Sequence, residues 1–139
     1  MASDPVEIVR GVIAAVNDRS LPARAAELLD PGFVRHDLVS VFPDSRGPEG
    51  AADFLQMIVA AMPDFRLEIV DIRAAGEHVT ARLRMTGTHT GAPLLGAAAT
   101  GRSLAANAVF VYRVADGRVA EGWQMVDGLA FYRLAGLLD

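Results

Sequence analysis

The first third of the chain carries apolar residues at intervals of three and four, the spacing of an amphipathic helix with one buried face. Asp4 is a candidate N-cap for the first helix, and Pro5 suits its first position. The buried face of this helix is expected to consist of Val9, Val12, Ile13 and Val16. Two further helices are predicted, from residue 22 to about 28 and from 47 to about 62, where Pro63 ends the helix.

Beyond residue 64 the apolar positions recur at every second residue, which indicates strands with one buried face. Four such strands are predicted, within residues 65–70, 80–86, 104–114 and 118–126. The Asp116-Gly117 dipeptide between the last two strands is a strong hairpin signal. A turn at 30–32, a short extended segment at 33–36 and a short C-terminal helix complete the pattern.

Helices followed by strands are typical of the α+β class, in which helices pack against one face of a sheet. We therefore expect a curved antiparallel sheet wrapped around the N-terminal helices in the shape of a cone. The inside of such a cone forms a single apolar cavity, which is a common place for a small ligand to bind.

Length and composition narrow the classes of function. A chain of 139 residues suits one domain over residues 1–139, and a hydrophobic fraction of 52 % is sufficient for a core. The net charge of −4 argues against nucleic-acid and anionic-membrane partners, which need a concentrated basic face. The absence of cysteine excludes disulfides and thiol nucleophiles. Because neither a signal peptide nor an apolar run of membrane-spanning length is evident, we expect a cytoplasmic protein.

Several short motifs occur in a fixed order along nearly the whole chain. They are Gly47-Pro48-Glu49-Gly50, Pro63-Asp64-Phe65, Gly87-Thr88-His89-Thr90-Gly91, Thr100-Gly101-Arg102, Tyr112-Arg113, Asp116-Gly117-Arg118, Glu121-x-Trp123 and Asp127. Each motif alone is weak, but the ordered set resembles the SnoaL-like polyketide cyclase family, within the nuclear transport factor two-like superfamily.

The resemblance implies a cone-shaped fold, usually as a homodimer that pairs through the sheet. It also implies ring closure of an aromatic polyketide by an intramolecular aldol reaction, without a metal or cofactor. In the characterised cyclases an aspartate acts as general acid and base, with a histidine nearby. Other members of the superfamily isomerise, dehydrate or open epoxides, and some only bind ligands.

The chain departs from the cyclases at both catalytic positions. An alignment on Arg113 and Asp116-Gly117 places Gln124 where the catalytic aspartate is expected and Phe110 where the histidine is expected. An amide cannot accept and return a proton near neutral pH, although Gln124 can still donate and accept hydrogen bonds. It could hold a substrate carbonyl or position a water molecule.

Two other residues are candidates for proton transfer. Asp127 is the nearest remaining carboxylate to the expected site, but it is also placed to cap the last helix. Strand alternation puts Gln124 and Asp127 on opposite faces, unless a bulge or the start of the helix redirects one of them. His36 follows Phe33-Val34-Arg35, where members of the family that the chain resembles often carry a histidine near the cavity mouth. It could serve as acid or base, or it could be a surface histidine bonded to Asp37 or to the backbone.

The substrate-binding candidates are mainly aromatic and apolar. Phe110 and Tyr112 share a strand face that is expected to point inward. Phe54 and Ile58 belong to a helical apolar stripe. Trp123 and His89 lie in the family motifs. Any of them could instead be ordinary core, and His89 could simply fix its loop. The three histidines show no metal-ligand spacing, so no metal site is predicted.

Two hypotheses follow. The first is a cofactor-independent acid/base enzyme for a polyketide-like or polycyclic hydrophobic molecule, with His36, Asp127 and Gln124 as catalytic candidates. Its reaction could be ring closure, isomerisation, dehydration or epoxide opening. The second is a non-catalytic small-molecule-binding dimer that has lost the cyclase acid, which the residues Gln124 and Phe110 favour.

Overall fold

The computed structural model describes residues 4–138, which form four helices and six strands. The helices are α1 (Pro5–Asn17), α2 (Leu21–Leu28), α3 (Gly47–Ala61) and α4 (Gly128–Leu134). The strands are β1 (Leu29–Asp37), β2 (Ser45–Arg46), β3 (Arg66–Ala75), β4 (His78–Thr88), β5 (Ser103–Ala115) and β6 (Arg118–Val126). The α+β class is therefore confirmed, and the four predicted strands correspond to β3 to β6.

The strands form one curved, open sheet in the order β2-β1-β6-β5-β4-β3. Four of the five pairings are antiparallel, but β1 runs parallel to β6. The sheet is thus mixed, and the expectation of a purely antiparallel sheet is wrong at this one pairing. Parallel neighbours need a long connection, and most of the chain lies between β1 and β6.

The segment predicted as a turn followed by a short extended piece is a single strand, β1, with an irregularity inside it. The register with β6 shifts between Leu29 and Val34, which is the signature of a bulge. Within this stretch the Gly32 amide donates to the Asp30 carboxylate at 2.8 Å. The turn residues therefore bend the strand without ending it.

The first three helices pack on the concave face of the sheet. Asp4 caps α1 as predicted, since its carboxylate accepts a hydrogen bond of 2.9 Å from the Val6 amide. Val9, Val12 and Ile13 of the predicted apolar face are buried. On β4 and β5 every second residue is buried, from Val79 to Met85 and from Leu104 to Val114. These two layers enclose the core and the cavity described below.

No helix in the stretch from residue 4 to residue 138 is both long enough and apolar enough to cross a membrane.

Candidate functional site

A cavity that is partly open to solvent lies between the helices and the concave face of the sheet. Its wall is overwhelmingly apolar, and all six phenylalanines of the chain line it: Phe33, Phe42, Phe54, Phe65, Phe110 and Phe131. A cavity lined in this way suits a mainly hydrophobic ligand.

Four lining residues carry hydrogen-bonding or charged side chains: Arg35, Asp37, Tyr112 and Gln124. The two strands that carry Asp37 and Gln124 lie side by side, and these two residues are direct register partners. Tyr112 lies one strand further along the sheet, opposite Gly122 on β6. We call these four residues the polar cluster.

Arg35 is the most deeply buried charge of the polar cluster, with only 4 % of its surface exposed. Its Nε donates to Ser45 Oγ at 3.1 Å and its Nη2 to the Pro43 carbonyl at 2.7 Å. Nη1 donates to Gln124 Oε1 over a longer 3.4 Å, and the guanidinium lies 3.7 Å from the centroid of the Phe54 ring. Burial lowers the pKa of Arg35, but a guanidinium remains protonated in proteins.

Tyr112 and Gln124 form a second pair within the polar cluster. Burial raises the pKa of the Tyr112 hydroxyl far above its usual value, only partly offset by a hydrogen bond with the Gln124 side chain and by the charge of Arg35. The hydroxyl therefore stays protonated and able to donate. The Phe110 ring packs edge-on against the Tyr112 ring, with centroids 6.1 Å apart, and fixes its orientation.

Asp37 is the single carboxylate among the residues that line this cavity. Its Oδ1 accepts the Val39 amide at 2.9 Å and its Oδ2 accepts the Phe42 amide at 2.7 Å. These bonds hold the loop after β1 against the cavity. Each carboxylate oxygen retains further acceptor capacity after one such bond.

His36 does not line the cavity, contrary to expectation. The alternation of β1 turns Phe33, Arg35 and Asp37 inward and therefore places His36 on the opposite face of the sheet. There its Nε2 lies 2.7 Å from Glu121 Oε2 and its ring stacks on Trp123 at 5.7 Å.

The Glu121 carboxylate is the centre of this outer-face group. It also accepts from Arg113 Nη2 at 3.3 Å, while Asp44 lies 3.5 Å from the other nitrogen of His36. Hydrogen bonds with His36 and Arg113 lower the pKa of the Glu121 carboxyl, and the bond with His36 has the larger effect. Trp123 belongs to this group and not to the cavity wall.

Asp127 acts as the N-cap of α4, the alternative considered for it. Its carboxylate accepts the Ala130 amide at 3.3 Å, and it is not a cavity-lining residue. Gln124 does face the cavity, together with Val126. The alternation therefore continues to the end of β6 without a bulge that would bring Gln124 and Asp127 together.

Of the substrate-binding candidates, Phe54, Ile58, Phe110 and Tyr112 line the cavity, whereas Trp123 and His89 do not. His89 is fully buried, and its Nε2 lies 2.9 Å from the Ala92 carbonyl. Its backbone amide and carbonyl bond Arg102 and Gly101, respectively. His89 therefore fixes the loop between β4 and β5.

Across residues 4–138 there is no group of three or more His, Asp or Glu side chains placed to hold a metal ion.

Arg35 and Asp37 are the polar cavity residues that sequence reasoning missed. The signal that could have found them was the period of two, since an inward Phe33 implies inward side chains two and four positions later. The predicted segment covered only residues 33–36, which was too short to show which face was buried.

The family model described as "SnoaL-like polyketide cyclase" matches residues 7–133. Aklanonic acid methyl ester cyclase DnrD from Streptomyces peucetius is 30 % identical over 139 residues, covering 96 % of this chain and 92 % of the relative.

Solved structures show the same fold. Wild-type IdmH from Streptomyces antibioticus, assigned to the polyketide cyclases, has a TM-score of 0.81 and 27 % identity, covering 96 % of this chain and 99 % of IdmH. A SnoaL-like protein from Jannaschia sp. CCS1 has a TM-score of 0.84 at 20 % identity, covering 100 % of this chain and 99 % of that one. The fold expected from the ordered motifs is thereby confirmed.

Proposed function

Because this chain belongs to the SnoaL-like polyketide cyclase family, we propose that it is a cofactor-independent enzyme that closes a ring in a polyketide-like molecule by an aldol-type reaction. The observation that carries the proposal is the polar cluster, which groups four hydrogen-bonding side chains in the wall of an otherwise apolar cavity. The apolar wall would hold the hydrophobic body of the substrate, while the polar cluster would meet its reacting oxygen.

An aldol ring closure begins when a proton leaves the carbon next to a carbonyl group, and negative charge then collects on the carbonyl oxygen. Donors already directed at that oxygen lower the barrier, because they need no rearrangement as the charge develops. Arg35 supplies a buried cation, and the Tyr112 hydroxyl stays protonated. Gln124 Oε1 accepts a hydrogen bond from Arg35, and the Gln124 side chain also lowers the pKa of the Tyr112 hydroxyl, so Gln124 links the two donors.

The reaction also needs a group that accepts the proton. Gln124 cannot do so, and Asp127 and His36 lie outside the cavity wall. Asp37 is the carboxylate in that wall, directly beside Gln124 on the neighbouring strand. We therefore assign proton removal to Asp37, and return of the proton to the new alkoxide oxygen to the same carboxyl group.

The test is turnover of an aromatic polyketide substrate by the purified protein. Aklanonic acid methyl ester, named in the relative's description, and its free acid are the first two compounds to try. Aldol addition leaves the mass unchanged, so ring closure is followed by chromatographic retention and ultraviolet–visible absorption. Appearance of a ring-closed isomer above the rate without protein supports the proposal, while the background rate with both compounds contradicts it.

The second candidate function is ligand binding without chemistry. One specific observation favours it: the side chain at the position of the cyclase aspartate is an amide, and Asp127 is committed to capping α4. Under this alternative the protein would bind the same compounds in calorimetric titration, and the recovered ligand would be unchanged after prolonged incubation.

A further inference from the structure

Arg35 carries a positive charge into the cavity wall without a carboxylate partner. Its contacts are Ser45 Oγ, the Pro43 carbonyl, Gln124 Oε1 and the face of the Phe54 ring, all of which are neutral. No Asp or Glu oxygen between residues 4 and 138 comes within ion-pair distance of it. A buried charge normally has an oppositely charged partner, because burial without one is costly.

We propose that Arg35 is an anion-binding subsite and that the natural ligand carries a carboxylate, or an equally acidic phenol, on its polycyclic body. This inference rests on the proposed function for the location of the ligand, but it concerns binding and not turnover. The ligand would supply the missing negative charge in the low-dielectric cavity, where such a pair is far stronger than in water.

The guanidinium has donors available for that ligand. It has five N–H groups, and the hydrogen bonds to Ser45, Pro43 and Gln124 use three of them. Phe54 covers one of the two faces of the guanidinium, and a ligand oxygen would approach in the plane of the group, where the remaining N–H bonds point. Edge-on contact with two N–H groups is the geometry that makes arginine selective for planar carboxylates.

Two nearby carboxylates influence Arg35 without neutralising it. The charges of Asp37 and Asp44 raise the pKa of Arg35, although burial outweighs them. Both Asp37 oxygens are bonded to the amides of Val39 and Phe42. Asp44 is half exposed and accepts the Asp37 amide while facing His36. Neither carboxylate forms an ion pair with the guanidinium.

A purely structural role for Arg35 makes a different prediction. Its bonds to Pro43 and Ser45 hold the segment between β1 and β2 in place. If this is its role, removing Arg35 would change the affinity for acidic and neutral ligands equally. If Arg35 is an anion subsite, removing it would lower the affinity for the acidic ligand only. A matched pair of ligands with the same shape and different charge separates the two roles.

The experiment is calorimetric titration of the full chain with anthraquinone-2-carboxylate and with anthraquinone-2-carboxamide at pH 7. We expect wild type to bind the carboxylate about tenfold more tightly or better, as a charge-assisted bidentate pair would give. Arg35→Met should reduce this preference to about one, and Arg35→Lys should retain part of it because the charge remains. Arg46→Met removes the same charge from an exposed neighbouring position and should leave the preference intact.

Equal affinity of wild type for the two probes would overturn the subsite without using any variant that could fail to fold. A preference that persists in Arg35→Met, or that disappears equally in Arg46→Met, would also overturn it, as would no binding of either probe. An Arg35-dependent preference without turnover of any polyketide would confirm the subsite and contradict the enzymatic proposal, so the two failures are distinguishable.

Discussion

At the scale of single residues, the two faces of β1 have different chemistry. Arg35 and Asp37 face the cavity, whereas His36 between them joins Glu121 and Trp123 on the outer face. The bonds from His36 and Arg113 stabilise the charged form of Glu121, which is why the pKa of its carboxyl is lowered in the folded protein. This outer-face group is therefore a source of pH-dependent stability.

The sign of that dependence follows from the lowered pKa. A carboxyl group whose pKa is lowered by folding stabilises the folded protein at pH values above its ordinary pKa of 4.5. This contribution is lost as the pH falls through the lower pKa of the folded protein. Glu121→Gln should therefore lower the urea midpoint at pH 7 and reduce its change between pH 7 and pH 3. Urea titrations of both proteins across this range test the prediction, and identical pH profiles would contradict it.

At the scale of secondary-structure elements, the C-terminal helix depends on its cap. Asp127 bonds the Ala130 amide at the start of α4, and α4 contributes Phe131 to the cavity wall. Asp127→Ala should lower the free energy of unfolding by about 1 kcal/mol, whereas Asp127→Asn should change it little, because asparagine caps as well as aspartate. Denaturant unfolding measures both, and an unchanged free energy for Asp127→Ala would show that the cap contributes nothing.

The sequence predicted the elements well because periodicity reports directly which side of an element is buried. It did not predict the parallel pairing of β1 with β6, because alternation identifies the face of a strand but not the direction of its neighbour. In the site, Gln124 and Phe110 were identified by alignment on Arg113 and Asp116-Gly117, and Tyr112 because it shares a strand face with Phe110. Arg35 was missed in favour of His36, because a shift of one residue exchanges the two faces of a strand.

At the scale of the whole molecule, the fold separates the charge pairs of the outer face from the polar groups of the cavity wall. Charged partners of the outer face, such as His36 and Glu121, pair with each other, whereas the polar cluster is surrounded by the apolar wall of the cavity. In the proposed function, the reaction takes place at the polar cluster, and Asp127 serves only the stability of α4.

The most direct test of this assignment compares ring-closure rates for two variants that each remove one carboxylate. Asp37→Asn should lower kcat by about 10²- to 10⁴-fold, the usual contribution of a general base. Asp127→Asn keeps the α4 cap and should retain kcat to within about twofold. If Asp37→Asn turns over the substrate as fast as wild type, or if Asp127→Asn is the variant that loses activity, the proton acceptor is not in the polar cluster and the account is contradicted.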